Sequence, residues 1–212
     1  MPLLRRFSCH GAESGIWRVD ESSGELRRML LSPLPYDEEL ACLHAPSRKM
    51  EYLAVRVLLR CLAGEELHVS HHPSGKPYLV GDSRRISISH TRGYAAVALH
   101  PSLEVGIDIE RRNERVRRAS SRFLREDEFP DRDSLSEYDQ LTGLLLHWSA
   151  KETMFKMMDA SGVDFQEHLR VLPFAVQEEG EMTGVEMHSP WHRRYAISYI
   201  THQDFVCTYS VE

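Results

Sequence analysis

At 212 residues the chain is long enough to bury a sizeable core, as one domain or two small halves. Its composition, 42% hydrophobic and 27% charged, is that of a soluble globular protein, and a formal net charge of -6 argues against general nucleic-acid binding. The amino-terminal MPLLRRFSCHG lacks the apolar core of a secretory signal, and no apolar run approaches the roughly 20 residues that span a bilayer.

In chain order, GIWRVD (15–20) and ELRRMLL (25–31) read as short strands around a Ser-Ser-Gly turn. RKMEYLAVRVLLRCLAG (48–64) reads as a helix with Leu53, Val57, Leu58 and Cys61 or Leu62 on one stripe and Gly64 as its C-terminal cap. HVSHHPSGKPYLV (68–80) predicts a hairpin, and RRISISH (84–90) and YAAVAL (94–99) two strands around Thr91-Arg92-Gly93. SLEVGIDIE (102–110) is a further strand, and from there the pattern restarts. A basic helix over 111–129 leads through Pro130 and a polar loop into a long helix from about Ser136 to Met158. The remainder, RVLPFAVQEE, TGVEMHSP and RYAISYITHQDFVCTYSVE, is β-rich, with a Glu179-Gly180 turn between the first two. Each half reads β, helix, β-sheet, so the fold class expected is α+β. The two similar lobes span 1–103 and 104–212, with the chemistry at the seam. Cys9, Cys42, Cys61 and Cys207 are scattered without zinc spacing, which predicts reduced thiols in a cytoplasmic protein.

Four short segments carry candidate chemistry. In Val105-Gly-Ile-Asp-Ile-Glu110, strand alternation puts Ile107 and Ile109 on one side and Asp108 and Glu110 on the other. Two carboxylates on one face repel as they are desolvated, which a Mg²⁺ ion would relieve; an exposed polar edge is the alternative. In Trp148-Ser-Ala-Lys-Glu-Thr-Met-Phe-Lys156, Trp148, Glu152 and Lys156 fall on one helical stripe. Glu152 is either a third carboxylate for the same ion or half of a surface pair with Lys156. That pair would be worth about 0.3–0.5 kcal/mol. Lys151 projects about 100° away from Glu152 and serves a different contact. Ile86-Ser-Ile-Ser-His-Thr91 ends a strand with hydroxyls and an imidazole, suited to phosphate or merely structural; parity places His90 with Ile86 and Ile88 unless the chain bends. Ser74-Gly-Lys-Pro77 is a turn presenting Lys76, too short for a phosphate loop. Arg48 and Arg56 lie two helical turns apart. The arginine run from Arg111 to Arg125 is either a solvated helix or a docking patch for an acidic partner.

Taken in order, Gly75-Lys76-Pro77, Ser89-His90-Thr91, Val105-Gly106-Ile107-Asp108 and Trp148-Ser149-Ala150-Lys151-Glu152 to Lys156 resemble the 4′-phosphopantetheinyl transferase superfamily, of the long, Sfp-like type. The resemblance implies a pseudo-dimer of two α+β lobes with coenzyme A in the cleft between them; a monomer is expected, and the charge and hydropathy above lead us to expect no nucleic-acid or membrane partner. It implies transfer of the 4′-phosphopantetheine arm of coenzyme A to a serine of an acyl or peptidyl carrier protein, releasing adenosine 3′,5′-bisphosphate. By the same resemblance Asp108, Glu110 and Glu152 hold Mg²⁺, and Lys156 neutralises the pyrophosphate. Lys76, Ser89 and His90, with Arg48 and Arg56 matching less tightly, contact the coenzyme A phosphates. The serine proton goes to Glu152 or to Glu128, the former favoured. The other readings are a Mg²⁺-dependent phosphohydrolase acting on coenzyme A or a nucleotide, and a non-catalytic binder of either partner.

Overall fold

In the computed structural model, which describes residues 3–158 and 160–212, the chain forms two compact units that divide between Val105 and Gly106. The first begins with a hairpin of β1 (Leu3–Cys9) and β2 (Ala12–Arg18), closed by His10 and Gly11, both at positive φ. Its four-stranded antiparallel sheet has the order β1-β2-β6-β5, with β5 over Arg85–Thr91 and β6 over Tyr94–His100. Helix α1 is Ser23–Arg28, α2 is Tyr36–Ala41 and α3 is Pro46–Ala63. The last starts on Pro46, whose missing N–H is no loss in a first turn, and ends at Gly64 in the left-handed conformation. Helix α3 packs on β2 and β6, burying Leu53, Val57, Leu58 and Leu62, the stripe legible in the sequence. A separate hairpin, β3 (Val69–His71) with β4 (Pro77–Leu79), presents the Ser74-Gly-Lys turn.

The second unit sets one long helix, α5 (Glu137–Met157), on a five-stranded sheet of order β7-β11-β10-β9-β8. The strands are β7 (Val105–Arg111), β8 (Leu169–Val171), β9 (Glu179–Glu186), β10 (Arg194–Thr201) and β11 (Phe205–Val211). Ser136 caps α5, its hydroxyl accepting from the Asp139 amide. The helix buries residues around most of its circumference, from Leu144 and Leu145 to Met154 and Met157. No helix among the described residues is long and apolar enough to cross a membrane.

Three local expectations are corrected. ELRRMLL is not a strand: Ser22 and Glu25 form a reciprocal capping box, and Leu26 and Leu30, four apart, are both buried, which is helical spacing. The basic segment 111–129 is not one helix. Only Arg115–Ala119 (α4) is α-helical, followed by single 3₁₀ turns at Ser120–Arg122 and Glu126–Glu128. Like charges at Arg115, Arg118 and Arg122 oppose a longer helix, and Phe123 is drawn fully into the core. Glu179-Gly180 opens β9 rather than turning. Gly180 pairs with Tyr199, whose hydroxyl lies 2.6 Å from where a β-carbon would stand. β1 had no counterpart in the sequence reading.

Candidate active site

Strand alternation and helical periodicity meet where β7 passes under α5. Gly106, Asp108 and Glu110 all turn toward the helix, whose answering residues are Thr153 and Met157, then Ser149 and Lys156, then Trp148. Gly106 sets the spacing. A β-carbon there would stand 2.6 Å from the Thr153 carbonyl and 2.7 Å from the Met157 side chain, so only glycine lets the helix lie this close. Ile107 and Ile109 point the other way and are buried at 0% and 1% exposure.

Asp108 is buried and held at both oxygens from α5: Lys156 Nζ donates to Oδ1 at 2.7 Å and Ser149 Oγ to Oδ2 at 2.7 Å. The Lys156 ammonium also donates to the Ile107 carbonyl at 3.0 Å. It therefore pairs across to the strand, not with Glu152 one turn earlier, and the surface-pair reading fails. Trp148 does more than pack. Its indole N–H donates to Glu110 Oε1 at 2.7 Å, while its rings lie against Phe123 and Phe165 at 5.2 and 5.4 Å.

Glu152 receives no hydrogen bond from any described residue. Burial, then repulsion from Asp108, pushes its pKa up to about 7, against the pull of Lys156. Glu110 is raised to about 7 by burial and by Asp108, against the donation from Trp148. Three carboxylates thus share one ammonium, and this excess of negative charge, with Glu152 receiving no hydrogen bond from a described residue, fits a hard divalent cation. Among the described residues, no three carboxylate, imidazole or thiol groups converge as a finished metal site.

Lys151, about 100° around the helix from Glu152, is fully buried. Its ammonium pairs with Glu128 at 2.8 Å and donates to the carbonyls of Phe123 and Phe165. Glu128, at 0% exposure, also accepts from the Arg125 and Val171 amides. All its oxygens face the interior, so the alternative base candidate is a core counter-ion instead.

In the first unit, Arg48, Glu51, Tyr52, Arg56, His71 and His90 line a cleft of about 430 Å³. Ile88 lines it too, so His90 keeps the parity of its strand and needs no bend, because the cleft opens on that face. His90 Nδ1 stands 3.5 Å from Glu51, which also pairs with the exposed Arg48 at 3.3 Å. Arg56 is buried, its guanidinium 4.1 Å from the centre of the Tyr52 ring and 3.6 Å from Glu39. Ser89 is buried outside this lining, and Lys76 is not part of it either: its ammonium pairs with Glu104 at 2.8 Å in a separate pocket. Within the first unit the structure gathers Arg48, Arg56 and His90, and within the second Asp108, Glu110, Glu152 and Lys156. The sequence reading missed the hydroxyls of Ser149, Thr153 and Thr208, which lie buried beneath Asp108. Ser149 and Thr153 share a helical face at i, i+4, but Thr208 is brought there by β11 and carries no local signal.

The family model for the 4′-phosphopantetheinyl transferase superfamily matches residues 104–210, which include β7, α5 and the whole carboxylate cluster. A Synechocystis sp. protein named provisionally as a 4′-phosphopantetheinyl transferase is 28% identical over 124 residues, 52% of this chain and 50% of its own. The L-aminoadipate-semialdehyde dehydrogenase-phosphopantetheinyl transferase of Mus musculus is 29% identical over 145 residues, 58% of this chain and 46% of its own. The matches thus span about half the length of these relatives. With the family model covering half of the chain, and the clustered carboxylates inside the match, the chain belongs to the 4′-phosphopantetheinyl transferase superfamily.

Proposed function

We propose that the chain transfers the 4′-phosphopantetheine arm of coenzyme A to a serine hydroxyl of an acyl or peptidyl carrier protein. The serine oxygen forms a bond to the β-phosphorus as the anhydride bond breaks, and adenosine 3′,5′-bisphosphate leaves. The observation that carries the reading is the β7–α5 cluster, where three carboxylates and one lysine face each other inside the family match. Asp108, Glu110 and Glu152 would hold Mg²⁺, which supplies neutralisation of the charge that develops on the anhydride oxygens.

The chain's own groups supply the rest. Lys156, a quarter exposed, offers its ammonium to the pyrophosphate. Glu152, with no donor on its oxygens among the described residues, takes the serine proton, whereas Glu128 is spent on Lys151. Lys76, Ser89 and His90, with Arg48 and Arg56, are assigned to the coenzyme A phosphates. Support is uneven: the cleft chemistry favours His90 and Arg48, while burial limits Ser89 and Arg56 to their edges. The reading includes the long, two-lobed Sfp-like form with lobes 1–103 and 104–212, supported by one long helix on a sheet in each unit. It also includes a cytoplasmic monomer without nucleic-acid or membrane partners. The test is to mix the protein with coenzyme A, Mg²⁺ and a panel of apo carrier proteins, and to weigh the carriers by mass spectrometry. A phosphopantetheine adduct on at least one carrier is expected. No adduct, with coenzyme A binding also absent, sinks the reading, and release of bisphosphate without a carrier turns it into hydrolysis.

The arginine run gains a role in the same proposal. Arg112 and Arg117 are used internally, the first on Thr142 and the His202 carbonyl, the second on Glu114 and the Glu137 carbonyl. Arg115, Arg118 and Arg122 are exposed with no ion-pair partner among the described residues, and an acidic carrier would be steered by them. Charge reversal at Arg115 and Arg118 is expected to raise KM for the carrier by about an order of magnitude at low salt, with the effect shrinking as salt screens it. An unchanged KM at low salt returns the run to a solvated surface.

A further inference from the structure

Beneath Asp108 lies a buried row of hydroxyls that no metal or phosphate contact accounts for. Ser149, Thr153 and Thr208 are each fully buried, and Asp108 closes the row at 4% exposure. Thr153 Oγ1 stands 2.7 Å from Thr208 Oγ1, Thr208 Oγ1 2.9 Å from Ser149 Oγ, and Ser149 Oγ 2.7 Å from Asp108 Oδ2. The direction of every proton is then fixed from one end. Lys156 Nζ donates to Oδ1 and Ser149 Oγ to Oδ2, each at 2.7 Å, so Asp108 accepts at both oxygens. Ser149 has one proton and gives it to Asp108, so at the next contact Thr208 must donate. Thr208 has then spent its own proton, so at the 2.7 Å contact Thr153 donates to its hydroxyl, the Thr208 carbonyl lying within reach of the same proton at 3.3 Å. Three dipoles line up head to tail on one carboxylate oxygen, each polarising the next.

The geometry points to Thr208 as a positioning residue for Asp108: its hydroxyl, driven by Thr153, holds the Ser149 proton on Oδ2. Without Thr208 the Ser149 hydroxyl can swing to a carbonyl one turn back in its own helix, the usual competing partner of a helical serine. Asp108 would then lose the Ser149 donation that fixes Oδ2, and the aim of its carboxylate would loosen. Thr208 lies on β11, 55 residues from Thr153, and the long separation is why no local motif contains it. This inference rests on the proposed role of Asp108 as a metal ligand and takes it one layer outward.

The test compares the full chain with Thr208→Val, which keeps the shape and removes the hydroxyl, and Thr208→Ser, which keeps the hydroxyl. Mn²⁺ alone, titrated and followed by the loss of the free-ion electron paramagnetic resonance signal, reads the site without coenzyme A or a carrier. Thr208→Val is expected to weaken Mn²⁺ binding by about 10–100-fold and to lower kcat with KM for the carrier unchanged. Thr208→Ser should return both to within about twofold of the original. If Thr208→Val does not fold, Thr153→Val, which removes only the far end of the row, is expected to show a smaller loss in the same direction. Mn²⁺ affinity unaltered in both valine variants overturns the inference. So does a serine variant as weak as the valine one, since methyl packing would then carry the effect. If the unaltered chain binds no Mn²⁺ and modifies no carrier, the proposed function itself has failed, a result distinct from either.

Discussion

Lys156→Met is expected to lower kcat for transfer by about 10²–10³-fold while the protein stays folded. The magnitude is that of removing one preorganised donor aimed at developing charge in a site shielded from water. The ammonium has two partners, the Ile107 carbonyl and Asp108 Oδ1, both on β7, so it is aimed before substrate arrives. Methionine keeps most of the length and packing of the side chain and removes the ammonium together with its two donations. Removal takes away the ammonium that offsets the charge of Asp108, Glu110 and Glu152, so the variant should also depend more steeply on Mg²⁺ concentration. Asp108→Asn is expected to lose turnover on a similar scale for the complementary reason. The amide still receives the Ser149 proton but presents less charge to a metal and no longer fixes Lys156. Steady-state kinetics with a carrier found active in the panel, with circular dichroism as the check on folding, measure both. A rate within a few fold of the original for either variant would refute its assigned role.

The cluster was legible in the sequence for a reason specific to its two elements. A strand with apolar residues at Ile107 and Ile109 must turn Asp108 and Glu110 to the other side, and a helix must align Trp148, Glu152 and Lys156. Each alternation is a local property, so residue numbers alone carried it. The pairing of the two faces is not local. Whether Lys156 met Glu152 in its own helix or Asp108 some 48 residues away was decided by packing. Gly106 lowers α5 onto β7, and its own spacing gives no hint of that. The capping box at Ser22 and Glu25 is equally local, and it marks a helix where the run of apolar residues after it reads as a strand. The helix expected over 111–129 failed for the opposite reason. Its propensity was sound, but Phe123, Leu124 and Glu128 are claimed by the core of the second unit, and the backbone breaks to deliver them. Glu128 is a base candidate by residue type and position in the chain, and its oxygens face Lys151 and two amides, partners that no local pattern announces.

That pair yields the largest stability effect expected in the molecule. Lys151 and Glu128 are both at 0% exposure and tie three segments together: helix α5, the turns around 123–128 and the strand at Val171. Lys151→Met would strand the Glu128 carboxylate in the core, and a buried charge left without its partner destabilises by about 3–5 kcal/mol. Glu128→Gln should lose a comparable amount, because the buried ammonium then lacks its counter-charge. Desolvation lowers the Lys151 pKa while Glu128 opposes the shift, so removing the carboxylate lets the lysine shed its proton and recover part of the loss. The double variant, Lys151→Met with Glu128→Gln, removes both charges and is expected to be more stable than either single one, giving a coupling of opposite sign to the single losses. Urea unfolding of the four proteins measures this, and a double variant that loses the full sum would show that the two charges act independently. The same double variant separates the two base assignments. Folded and without a carboxylate at 128, it should keep turnover within about tenfold if Glu152 takes the serine proton. A loss as deep as that of Lys156→Met in a protein of intact fold would hand the role back to Glu128.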